Sequence, residues 1–174
     1  TNCAYNPEGE RRNMSAGLAF IIVWALLWVL LLSICLWAIR AGGPAERAGA
    51  LLILAAAAFS AAGDLLAYVN GLRTEPSFLI GRLAAEGFLA LGFLVLSVRY
   101  GSLWLGGVML LQSFQFTLQA TYFVTQRPHD AIYSTVNNVN FLGILTCLAL
   151  ATAAEQRRRR VARQAHEPAI QAAA

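Results

Sequence analysis

The stretch GLAFIIVWALLWVLLLSICLWAI, residues 17–39, decides the fold. No charged side chain interrupts it. A helix needs about 20 apolar residues to cross the roughly 30 Å hydrocarbon core of a bilayer. Four further windows of similar length follow: Ala48–Val69, Phe78–Val98, Leu103–Val124 and Ala131–Ala154. A backbone in lipid must satisfy its own polar groups, which leaves helices or a closed barrel. Barrel strands alternate apolar and polar residues over about ten positions, and Leu51–Phe59 does not alternate. The expected fold is all-α: a polytopic membrane helical bundle of about five transmembrane helices with up-and-down topology.

Composition agrees. Of 174 residues, 58% are hydrophobic and 13% charged, with mean hydropathy +0.58. A soluble domain carries about 25% charged residues. The chain divides into a polar N-terminal tail (1–16), the bundle (17–156) and a basic C-terminal tail (157–174), with no room for a separate soluble domain. Every basic residue is arginine, and alanine and leucine abound, a composition that suggests a GC-rich bacterial genome. The sequence pI is near 9.3. Its arginines cluster at helix ends and in the tail, which reads as topology signalling and not as nucleic-acid binding.

Cys3, Cys35 and Cys147 form no CxxC pair and no zinc spacing. Cys35 and Cys147 lie inside apolar helices, where cysteine behaves as a small hydrophobe. The first apolar run is longer than a signal-peptide core, and Trp37-Ala38-Ile39-Arg40 is a poor cleavage site. It is retained as a span. Met14-Ser15-Ala16 offers an alternative start.

Arginine distribution orients the bundle. The side holding the N-terminus carries Arg11, Arg12, Arg73, Arg82 and Arg127, five in all. The opposite side carries eight: Arg40, Arg47, Arg99, Arg157, Arg158, Arg159, Arg160 and Arg163. Arginine excess marks the cytoplasmic face. The expected location is the bacterial inner (plasma) membrane, N-terminus outside and C-terminus cytoplasmic. Turns fall at Gly42-Gly43-Pro44, Asn70-Gly71, Glu75-Pro76, Tyr100-Gly101-Ser102 and Gln126-Arg127-Pro128. The run Arg157–Arg160, with Arg163, suits contact with anionic lipid headgroups. The end, from Glu167, reads as frayed.

The spans differ in character. The first presents Trp24 and Trp28 on one face, suited to lipid or a partner helix. The second carries Ala56, Ser60 and Gly63 at close spacing, a small-residue seam that would place it at the bundle centre. Gly87, Gly92 and Gly106-Gly107 offer further tight packing.

Polar residues converge towards the N-terminal side of the membrane. Asp64 and Glu86 are the acids well inside the spans, and such groups must pair, face the interior or become neutral. Arg82 stands four residues before Glu86, on the same helix face. Gln112, Gln115 and Gln119 make a stripe on the fourth span, and Asn137, Asn138 and Asn140 open the fifth. Tyr122, Tyr133 and His129 lie at the rim. The cluster has two readings: an interhelical hydrogen-bond network, or a polar pocket in the outer half of the membrane.

No catalytic motif accompanies these groups. No cofactor is expected: the histidines, His129 and His166, stand in a loop and a tail, there is no lysine for a Schiff base, and no metal-ligand spacing occurs. A bound lipid, quinone or pigment needs no motif and stays open. The expected function is that of a non-catalytic multipass protein, an accessory or assembly subunit of a membrane complex. The alternative is a carrier binding a small solute, ion or lipid. Expected partners are membrane lipids and a membrane protein or a second copy of the chain.

Overall fold

The computed structural model describes the backbone of residues 7–71, 76–125 and 130–171, and side chains within 22–71, 80–81, 83–125 and 130–164. The described residues form five helices: α1 Pro7–Ala41, α2 Pro44–Val69, α3 Pro76–Tyr100, α4 Leu103–Val124 and α5 Ala131–Gln171. No strand occurs among them. The first three open on proline, whose fixed φ and missing N–H suit a first helical turn. Gly71 and Gly101 adopt φ of 67° and 57°, left-handed values that favour glycine, at two of the turns expected from sequence.

Two ends differ from expectation. The helix begins at Pro7, so α1 runs through Met14 where a polar tail was expected. Likewise α5 continues to Gln171, past the expected fraying at Glu167. Residues 1–6 lie outside the described residues.

Among the described residues, four helices are long and apolar enough to cross a membrane, over Ile22–Ala41, Pro44–Val69, Leu83–Tyr100 and Ala131–Gln164. This all-α, apolar architecture is compatible with a membrane protein. The remaining helix, α4, spans about 33 Å at 1.5 Å per residue, so length is not its limit. Its three glutamines lower its hydropathy, and all three are buried.

The chain forms two compact units, residues 1–33 and residues 34–174. In the second, α4 packs on α3 and α5, and α2 also contacts α3 and α5. The short connection at Gly101-Ser102 folds α4 back along α3. Leu111 meets Gly143, where a Cβ would come within 3.1 Å of its Cδ1. Gln115 meets Asn137. Numbering thus falls along α5 as it rises along α4, so these helices run antiparallel.

The expected seam on α2 is not where the helices close. Ser60 is exposed, and no described atom lies within 4 Å of a Cβ built on Gly63, Gly106 or Gly107. The close approaches are at Gly49, against Trp104, and at Gly92, against Leu52. A small residue permits approach; a large neighbour projecting into the gap decides where it happens. Nor does α2 carry a continuous buried stripe; α4 does, through Leu105, Val108, Gln112, Gln115 and Gln119. Those positions step by three and four residues, the spacing of one helical face.

Candidate functional site

The α4 stripe changes chemistry halfway. Leu105 and Val108 are apolar; Gln112, Gln115 and Gln119 follow, exposed by only 1%, 3% and 8%. Gln112 Nε2 donates to Glu86 Oε2 on α3 at 2.5 Å. Gln115 Nε2 donates to Asn137 Oδ1 on α5 at 2.5 Å. Asn140, one turn along α5, is buried at 5% exposure. Gln115 Oε1 and Asn140 Oδ1 accept no hydrogen bond among the described residues. Interhelical contacts of this type contribute about 0.6 kcal/mol each in membrane bundles.

A separate set of contacts lies at the α4–α5 turn. The rings of Tyr122 and Tyr133 stack at 5.1 Å with a 55° tilt. Tyr122 Oη donates to Asp130 Oδ1 at 2.8 Å, and the same oxygen accepts the Tyr133 backbone N–H at 2.8 Å. Asp130 is thus the N-cap of α5, accepting from the third residue of the helix. First the Tyr133 N–H and then the Tyr122 hydroxyl hold its carboxyl below the ordinary value of 3.8. Both bonds favour the charged form, so their stabilisation is present above the unfolded pKa and is lost as pH falls through the lowered folded value. Replacing Asp130→Asn should therefore cost thermal stability at neutral pH. That deficit should shrink as the wild type is titrated below about pH 4. A deficit independent of pH in detergent melting curves would show that the charge is not engaged.

Several expected members stand elsewhere. Asp64 is exposed on α2, near the end of that helix. Burial on α2 is concentrated at Glu46, Gly49, Ala50 and Ile53, with Ala67 beyond, so the helical face shared by Ile53 and Asp64 is not buried throughout. Asn138 is exposed, about 100° round the helix from Asn137. Gln112 and Glu86 stand near the middle of their helices. The Arg82 side chain, expected to pair with Glu86, lies outside the described residues, as does His129. In the first unit Trp24 and Trp28 meet edge-on at 5.6 Å; Trp24 is exposed and Trp28 half-buried.

A second polar cluster, unforeseen in sequence, sits at the opposite end of the bundle. Glu46 is buried there. Its Oε2 accepts the Gly43 N–H at 2.9 Å and its Oε1 accepts the Trp104 indole N–H at 3.1 Å. Glu46 is the third residue of α2 and reaches back to the cap position, as the acid of a capping box does; the positive end of the helix dipole favours its charge. Nearby, Arg159 Nε donates to Glu155 Oε1 at 2.8 Å and Arg159 Nη2 to the Gly42 carbonyl at 3.4 Å. This cluster ties the α1–α2 turn to α4 and α5. Arg157, Arg158, Arg160 and Arg163 are exposed.

Among the described residues, no group of three His, Cys, Asp or Glu side chains converges to hold a metal ion. Comparison with known protein families, with characterised proteins and with solved structures finds no match.

Proposed function

We propose that this chain is a non-catalytic multipass protein of the bacterial inner membrane, N-terminus outside and C-terminus cytoplasmic, acting as an accessory or assembly subunit of a membrane complex. One observation carries the reading: the buried amides of Gln112 and Gln115 on α4 bond polar side chains of α3 and α5, while large apolar side chains face outward. Glu86 with Gln112, and Asn137 with Gln115, are pairs of helix-holding groups. Leu51, Phe59, Phe88, Leu110, Phe114 and Leu150 are all exposed. Such surfaces belong against lipid or another apolar helix. Trp24 and Trp28 on α1 supply the docking face in this proposal, and the arginines after Glu155 contact anionic lipid.

Purification from native membranes in mild detergent tests it. A stoichiometric membrane-protein partner, or a defined homo-oligomer, is the expected result. Solitary migration with no companion would count against the accessory role. The carrier reading draws on one feature, the two buried acceptor oxygens of Gln115 and Asn140. It requires water or solute to reach them.

A further inference from the structure

We propose that the outward face of α5, just beyond its membrane-spanning part, is a headgroup site for an anionic phospholipid, with Arg157 and Arg158 as its phosphate-binding pair. The inference rests on the membrane-spanning reading of α5 and is independent of the accessory role.

Ala153, Ala154, Arg157, Arg158, Val161 and Ala162 line an open groove of about 680 Å³. They form two rows at four-residue spacing, each an arginine between two small apolar side chains. Leu148 and Thr152 are buried in the bundle, and Glu155 and Arg159 continue that side of the helix towards Gly42. With 3.6 residues per turn, Ala153, Arg157 and Val161 fall on the opposite side and Ala154, Arg158 and Ala162 on its flank, and all six are exposed.

Depth agrees. About 20 residues cross the hydrocarbon, so a span starting at Ala131 reaches its far boundary near residue 150, and the next turns lie among headgroups. A guanidinium matches phosphate with two parallel donors. The alanines beside each arginine leave room for a glycerol edge against the helix.

The structure also divides what reads in sequence as one basic run. Arg159 is engaged by Glu155 and Gly42. Arg160 and Arg163 are exposed and do not line the groove; they lie round the helix from Arg157 on the side away from Arg158. They meet the leaflet only as a diffuse negative surface.

The test is the apparent Kd of the first phosphatidylglycerol retained by the full chain in native mass spectrometry from mild detergent. Two double variants remove the same charge: Arg157→Gln with Arg158→Gln, and Arg160→Gln with Arg163→Gln. At about 1 kcal/mol per arginine, the first should weaken retention about thirtyfold. The second should change it less than about threefold. Ala154→Leu, which fills the groove and keeps every charge, should also weaken retention. Phosphatidylcholine and inorganic phosphate should not displace the bound lipid.

Equal losses in the two doubles would overturn the site in favour of diffuse attraction, as would no loss in the first. Displacement by inorganic phosphate would overturn the lipid as its ligand. Carbonate extraction of the wild-type chain from membranes, run alongside, separates failure of the site from failure of the membrane reading.

Discussion

Gly49→Val destabilises the bundle by about 2–3 kcal/mol, at the upper end of the usual cost of overpacking. A Cβ at position 49 would stand 2.6 Å from Trp104 Cη2. The indole is rigid, so no terminal rotation relieves the contact. Its other edge is fixed, because Nε1 donates to Glu46 and Glu46 also holds the Gly43 N–H. Moving the ring therefore loosens the start of α2 as well. Trp104→Phe alone should cost about 1–2 kcal/mol by depriving buried Glu46 of a donor. In that background the ring is smaller, and Gly49→Val should cost less than half as much. Unfolding in mild detergent measures both. An equal cost in the two backgrounds would mean that the ring and the glycine do not meet.

The second large effect is expected at the middle of α4. Gln112→Leu should cost about 2 kcal/mol, since it deprives the half-buried Glu86 of a donor in apolar surroundings. Glu86 keeps its other contacts, which holds the loss below the 3–5 kcal/mol of a fully broken buried pair. Replacing both partners, Gln112→Leu with Glu86→Leu, should recover part of the loss, because the pair is removed as a unit while the other contacts of Glu86 are given up. Gln115→Leu should cost less than Gln112→Leu, since its partner Asn137 is neutral and its own Oε1 has no described donor to lose. Strict additivity in the Gln112–Glu86 cycle would show that the two side chains do not interact.

How much of this was legible follows from the range of each signal. The helices were, because apolar length, proline and glycine act locally; Pro44, Gly71 and Gly101 stand at the turns their chemistry implies. The α4 stripe was also legible, since glutamines three and four residues apart must share a face. Which helix they would meet was not: Gln112 bonds Glu86 on α3 and Gln115 bonds Asn137 on α5. Asp64 misled because a helical face is not buried along its whole length, and the packed part of α2 lies mainly at the other end. Glu46 carried a usable local sign, an acid at the third position of a helix beginning with proline. Its partner Trp104 is 58 residues away, and no local pattern joins them. The Ala56, Ser60 and Gly63 seam failed for the same reason: spacing shows where helices can approach, and the neighbouring side chains determine where they do.

In the proposed reading the glutamine stripe is a dry, helix-holding network within the membrane. Maleimide labelling of single cysteines in intact membranes tests it most directly, in a background with Cys3, Cys35 and Cys147 replaced. Phe114 is exposed on the outer surface of α4 and Gln115 is buried beside it. An impermeant reagent applied from either side should label neither Phe114→Cys nor Gln115→Cys, whereas Arg163→Cys should react only from the cytoplasmic side. Labelling of Gln115→Cys but not of Phe114→Cys would reveal a water-filled path to these amides and would favour a carrier over a helix-holding network.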